Sequence, residues 1–217
     1  MNKTTGVDRG NPRRYFSADL HLNHANIIKY CNRNFCLSDF EIATIEAIQE
    51  TTGETSSPEV RSFRISTESV EIMNELILKN INAIVGREDI FYLLGDFCFA
   101  KDFAIVKKFR NMINCKNIHF VMGNHDKFSN REYLSIFETV DYYKEFKYNG
   151  IKFVLSHYPF LEWAGSFYGS IHLFGHCHGN KNDKIAKMFP SAKMLDVGID
   201  SHDYKPWSIE EIIKNFN

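Results

Sequence analysis

Apolar residues in this chain fall into short runs separated by amphipathic stretches, and most of the runs stop at a residue able to hold a metal ion. Arg13 to Ala18 reads as a first strand and ends in Asp19-Leu20-His21-Leu22-Asn23-His24. Ser38-Asp39-Phe40-Glu41 has capping-box spacing, and Ile42, Ile45 and Ile48 follow at helical intervals. A second amphipathic helix is predicted from about Thr67 to Val85, with Val70, Met73, Ile77 and Ile84 on one face. Asp89 to Leu94 is the next strand and ends in Gly95-Asp96. Phe103, Val106, Phe109 and Ile113 mark a short helix. The strand Ile118–Met122 then ends in Gly123-Asn124-His125-Asp126, with a helix near Arg131 to Phe137.

From Asp141 the pattern turns to strands. Phe146 to Leu155 carries Asn149-Gly150 between two β-rich runs, the strongest short-range hairpin signal, and its second arm ends in Ser156-His157-Tyr158-Pro159. Ile171 to Phe174 ends in Gly175-His176-Cys177-His178. A Lys-containing loop, Gly179 to Lys193, leads to a last strand, Met194 to Ile199, and Ser208-Ile209-Glu210-Glu211 opens a C-terminal helix. Gln49 to Arg64 is Thr, Ser, Glu and Gly with Pro58, which predicts a loop or insertion. Residues 1–12 read as a loosely attached leader. Without a linker or an internal repeat, the pattern predicts one domain over residues 1–217 with a polar insertion near 49–66.

Composition narrows the classes. The chain has 217 residues, 44% hydrophobic and 24% charged, with a formal net charge of -1. Nothing in that balance demands a polyanion, and the missing basic surplus argues against a processive nuclease. A nucleic-acid substrate stays open, because a metal can hold phosphate without a basic surface. Cys31, Cys36, Cys98, Cys115 and Cys177 are odd in number and scattered, which fits thiols in a reducing cytoplasm. The polar N-terminus has no signal-peptide pattern, and no apolar run approaches the roughly 18 residues of a membrane span. The expected setting is therefore cytoplasmic, with no membrane; the oligomeric state is not encoded.

The candidate chemistry sits at five strand ends: Asp19 with His21, Asp96, Asn124 with His125, His157, and His176 with His178. Six of the nine histidines, these five and His24, lie in or beside these clusters, too many for scattered surface positions. Asp19 and His21, two apart on a strand end, would face the same side. Seven oxygen and nitrogen ligands exceed one tetrahedral zinc. They fit two metals about 3.5–4 Å apart that share a bridging carboxylate. The imidazoles favour Mn²⁺, Fe or Zn²⁺ over Mg²⁺ or Ca²⁺ alone. Two such ions suit in-line displacement at phosphorus, with a metal-activated hydroxide as nucleophile. His125 is either the acid that protonates the leaving oxygen, oriented by Asp126, or a ligand beside an Asp126 that caps a helix. Cys177, between two His, should point away. Lys107, Lys108 and Arg110 read as a solvated face, with phosphate steering as the alternative.

The ordered set Asp19-x-His21, Gly95-Asp96, Gly123-Asn124-His125-Asp126, His157 and Gly175-His176-x-His178 resembles the calcineurin-like metallophosphoesterase superfamily over residues 15 to about 200. Asp19 to Ile28, with Asn26-Ile27-Ile28, and the ending Asp196-Val197-Gly198-Ile199-Asp200 resemble a branch of small bacterial and phage members. The resemblance implies an α/β fold: a four-layer α/β/β/α sandwich of two mixed β-sheets flanked by helices, metallo-dependent phosphatase-like. It implies that Asp19, His21 and His178 hold one metal, that Asn124, His157 and His176 hold the other, and that Asp96 bridges. His125 would be the general acid and Asp126 its orienting partner.

Phe99 stands where many members carry a second Asp, and Ala100-Lys101 stand where protein Ser/Thr phosphatases carry Arg, which argues against a phosphoprotein phosphatase. His24 is an additional histidine with a substrate, outer-sphere or surface role. Asp200 and His202 are read as structural. Tyr158, Phe160, Trp163, Phe167 and Tyr168 either stack a base or form a satellite core. The expected function is thus a dimetal-dependent phosphoester hydrolase, a phosphodiesterase ahead of a phosphoprotein phosphatase. Its cofactors would be two divalent ions, Mn²⁺ first, with Fe or Zn²⁺ as alternatives. Its substrate would be a phosphoester, a nucleotide or nucleic-acid end among the candidates. The alternatives are a metal-free interaction module on the same fold, a small-molecule phosphomonoesterase and, ranked last, a structural-zinc protein.

Overall fold

The computed structural model describes residues 11–54, 57–180, 184 and 187–216. Strand β1 (Arg14–Ser17) pairs in parallel with β2 (Ile90–Leu94), β2 with β3 (Asn117–Val121), and β3 with β4 (Thr139–Asp141). A two-residue strand, β9 (Trp207–Ser208), closes the other edge of β1 in antiparallel sense, so this five-stranded sheet is mixed. The second sheet has the order β5 (Tyr143–Tyr148), β6 (Ile151–Ser156), β7 (Ile171–Phe174), β8 (Met194–Asp196), and only the β5–β6 pair is antiparallel. Tyr148 pairs with Ile151 across Asn149-Gly150, the two-residue turn the sequence predicts, with both turn residues at positive φ.

Side-chain alternation explains why the first sheet is covered on both faces. Tyr15, Phe91, Leu93, Ile118 and Phe120 pack on the helix side, while Phe16, Tyr92, Leu94 and Val121 pack against Phe153, Leu155, Ile171 and Leu173 of the second sheet. An aromatic stack, Phe16–Tyr92 at 5.1 Å and Tyr92–Phe146 at 5.0 Å, ties the sheets together.

The helix layer contains α1 (Ala25–Tyr30), α2 (Asp39–Thr52), α3 (Pro58–Ser62), α4 (Thr67–Ile84), α5 (Phe103–Asn111) and α6 (Asn130–Leu134). Helix α7 (Ile209–Asn215) buries Ile209 and Ile212 at the end of the inter-sheet core. The outer face of the second sheet carries His172, on which Phe160 and Trp163 pack. The result is the expected four-layer α/β sandwich of two mixed sheets.

The Ser38/Glu41 and Ser208/Glu211 capping boxes form as predicted. The 49–66 stretch differs from a plain loop. Helix α2 continues to Thr52, and Ser57 and Pro58 start α3. The buried Lys29 ammonium donates to the carbonyls of Val60, Arg61 and Phe63 at 3.0, 2.8 and 2.6 Å, satisfying the C-terminal end of α3 and docking it on α1. A helix of five residues shows no periodicity that a sequence could reveal. The last strand of the second sheet also ends earlier than expected, at Asp196. The predicted leader up to residue 10, residues 55–56 of the insertion, and 181–183 and 185–186 of the Lys-containing loop lie outside the described residues.

Candidate metal centre

Each candidate ligand follows a strand, but the backbone that presents it is not strand-like. Asp19, His21, Asp96, His176 and His178 have φ of 56°, 48°, 53°, 69° and 50°. Non-glycine residues adopt that left-handed region at a cost, and its concentration here marks a built site. Asp19 and His21 therefore do converge, but through two left-handed residues and not through strand alternation as the sequence suggests. The loops after β1 and β2 hold this conformation by zipping together: Asp19 N donates to Gly95 O at 3.0 Å, His21 N to Asp96 O at 2.9 Å, and Leu22 N to Phe97 O at 3.0 Å. Gly95, with φ 89°, lets the Gly123 backbone approach so closely that a Cβ would lie 2.7 Å from it.

The side chains then meet. Asp96 Oδ2 lies 3.4 Å from His21 Nε2 and 3.5 Å from His157 Nε2. Ligand atoms of Asp19, His21 and His178 lie within 4.8 Å of one another, as do those of Asp19, Asp96 and His157. Asn124 Oδ1 is 3.0 Å from both His157 Nε2 and His176 Nδ1. All seven residues proposed as ligands from sequence thus share one cluster.

Its donor set fits cations. His157 Nδ1 donates to the Leu94 carbonyl at 2.8 Å, so the neutral ring presents a bare Nε2 lone pair to the oxygens of Asp96 and Asn124. His178 Nδ1 donates to Asp200 Oδ2 at 2.7 Å and likewise frees its Nε2. Asp19 Oδ1 and His21 Nε2 are buried without a hydrogen-bond partner among the described residues. Lone pairs facing lone pairs in a buried site are stable only around positive charge.

The same crowding shifts the proton affinities of these groups. Burial, with the charges of Asp196 and Asp96, holds the Asp19 carboxyl well above the usual range. Burial, then His178 and Arg33, depresses His21, and burial depresses His157 despite Asp96. His24 is lowered to about 4, first by burial and then by His125.

The roles around the cluster need one correction. Asp126 does not orient His125, nor does it cap a helix. Its Oδ2 accepts from Asp96 N (2.7 Å) and Gly123 N (2.8 Å), and its Oδ1 from Phe97 N (3.1 Å), so it fastens the β2 and β3 loops to each other. Burial pushes its carboxyl up to about 7 against those three N–H donors. His125 is positioned by its backbone, which donates to Asp96 Oδ1 at 2.8 Å, and its ring lies 5.3 Å from that of His21.

Other expectations divide. His24 stacks on Phe99 at 4.3 Å, with Phe99 6.3 Å from His125. Tyr158 packs edge-on to His176 at 4.6 Å, whereas Phe160 and Trp163 cover His172 and Phe167 and Tyr168 are exposed. Arg110 is structural, donating to the carbonyls of Ile136, Ile113 and Lys116. Cys177 is buried. His202 stacks on Trp207, but Asp200, expected to be merely structural, holds His178. Arg33, which no local sequence pattern marks, in turn holds Asp200 through Nε and Nη2, both at 2.8 Å. Burial resists ionisation of Asp200, but the His178 hydrogen bond and the Arg33 charge outweigh it and keep the carboxyl low.

An Asp/His cluster at the strand ends of two facing mixed sheets defines a metal-dependent hydrolase. The model of the calcineurin-like phosphoesterase family matches residues 15–209, and the chain belongs to that family, whose members are metal-dependent phosphoesterases. It is 34% identical over 202 residues to the uncharacterized protein MJ1445 of Methanocaldococcus jannaschii, covering 92% of this chain and 89% of that protein. The crystal structure of the protein of unknown function AQ665 from Aquifex aeolicus superimposes with a TM-score of 0.63 at 23% identity, over 94% of this chain and 100% of that one, and so shares the fold.

Proposed function

We propose that the protein is a phosphodiesterase that works with two divalent cations. The observation that carries this reading is the position of Asp96 Oδ2 between His21 Nε2 and His157 Nε2, where one carboxylate serves two sites. Asp19, His21 and His178 would hold one cation, and Asn124, His157 and His176 the other. Mn²⁺ suits this mixture of imidazole and oxygen, with Fe or Zn²⁺ as alternatives. When bound, the pair supplies Lewis acidity toward water and toward the phosphoryl oxygens. His125 donates the proton to the leaving oxygen, its place set by the hydrogen bond to Asp96. Asp126 keeps the two loops in register.

The preference for a diester rests on what flanks the cluster. Phe99 lies on one side, stacked on His24, and Tyr158 on the other, packed on His176; both are partly exposed. A diester carries an organic group on each side of phosphorus, and aromatic flanks suit a nucleotide or a nucleic-acid end. The five cysteines are free thiols, four of them buried, which supports a reducing, cytoplasmic setting.

The test is turnover by Mn²⁺-loaded protein of bis(p-nitrophenyl) phosphate, p-nitrophenyl phosphate, cyclic mononucleotides and short oligonucleotides. The reading expects the highest kcat/KM on a diester. Turnover of monoesters alone would replace it with a phosphomonoesterase, and inert reconstituted protein would point to the metal-free interaction module.

A further inference from the structure

We infer that Arg33 and Asp200 form a buried clamp that sets one of the two cation positions, that of Asp19, His21 and His178, more directly than it sets the other. The inference rests on the two-cation reading.

Arg33 is fully buried, and each of its five N–H groups has a partner. Nε and Nη2 grip the two oxygens of Asp200. Nη2 also donates to Asp19 O at 2.9 Å. Nη1 donates to Leu20 O at 2.9 Å and to Met73 Sδ at 3.4 Å on α4. A buried guanidinium must satisfy all five N–H donors wherever it sits, and its carboxylate takes only two of them. Two of the others go to the two carbonyls that lie between Asp19 and His21, the residues held at positive φ. Its carboxylate partner accepts from His178 Nδ1 and so aims His178 Nε2. The segment that carries Asp19 and His21, and the His178 ring, therefore lean on one cation of the protein's own, directly or through Asp200. His157 is fixed separately, by the Leu94 carbonyl, and the His176 backbone, donating to Asp19 Oδ2 at 2.7 Å, ties that half to this one.

The clamp also prevents a wrong site. Cys31, His178 and Asp200 bring ligand atoms within 4.8 Å of one another, a set that could draw a metal away from Asp19 and His21. With both Asp200 oxygens on Arg33, a guanidinium stands where that competing metal would need its carboxylate.

The experiment is equilibrium Mn²⁺ binding with EPR detection on the wild-type chain and on Asp200→Asn and Arg33→Lys. Asparagine keeps the shape of Asp200, and lysine keeps the charge of Arg33 without its fork. Wild type should bind two Mn²⁺ with a spin-coupled signal. Each variant should weaken one cation by about 10–100-fold, the usual effect of losing a partner behind a metal ligand, and weaken the other far less. At one equivalent the variants should show a mononuclear spectrum. Excess Mn²⁺ should restore turnover in Asp200→Asn, which a misfolded chain would not allow. Two cations bound by both variants with wild-type affinity, or both weakened equally, would overturn the clamp. Wild type taking fewer than two Mn²⁺ would break the two-cation reading, and the clamp with it.

Discussion

The two halves of the cluster are built differently. Around Asp19, His21 and His178, two of the three side chains are deeply buried and the third leans on Asp200 and Arg33. Around Asn124, His157 and His176, only His157 is buried; Asn124 and His176 face solvent. One half is preorganised by charge inside the protein, the other by a backbone carbonyl and by its neighbours. The lesson is that two similar sets of ligand types can be supported differently, one from inside the protein and one at its surface.

Asp96 joins the halves, so its loss should erase the difference. Asp96→Ala is expected to lose both cations and all measurable turnover, read by metal analysis and a diesterase assay. An active variant with full metal content would show that the halves are held without it. His125→Ala should retain the metals yet lose about 10²–10⁴-fold on esters with poor leaving groups, and less on p-nitrophenyl esters. Equal losses on both would remove its role as acid.

Phe99→Ala and Tyr158→Ala probe the two flanks separately. Each should raise KM for substrates carrying a ring, by roughly 1–3 kcal/mol of binding per stacked base, with kcat nearly unchanged. If only one does so, the other flank does not meet the substrate.

A control outside both halves is Glu41. It accepts from Ser66 N (2.8 Å), Ser69 Oγ (2.6 Å) and Ser38 N (3.0 Å), joining the starts of α2 and α4. Burial opposes its ionisation, but these donors win and lower its carboxyl from 4.5 to about 2. A depressed carboxyl stabilises the fold above its unfolded value, and that contribution is lost as pH falls from about 4.5 toward 2. Glu41→Gln should therefore cost about 1.5–3 kcal/mol at neutral pH, the range for hydrogen bonds to a charged group. It should also flatten the acid limb of a denaturation curve while leaving Mn²⁺ binding alone.

Much of this was legible in the chain because it is local. Apolar runs ending in ligand types, the Asn149-Gly150 turn and the Ser/Glu capping boxes each lie within a few residues. What escaped is non-local or conformational. Arg33 and Asp200 are 167 positions apart, and nothing near either announces the other. The left-handed backbone at Asp19 and His21 is imposed by hydrogen bonds to the β2 loop, not by either residue's own preference. Asp126 sits beside His125 in sequence, yet its carboxylate turns to the amide of Gly123, three residues back, and to those of Asp96 and Phe97, which only the folded loops bring within reach.

The most direct measurement is anomalous diffraction from crystals of the Mn²⁺-loaded protein. The account predicts two peaks about 3.5–4 Å apart on either side of Asp96. A single peak, or peaks remote from Asp96, would contradict it.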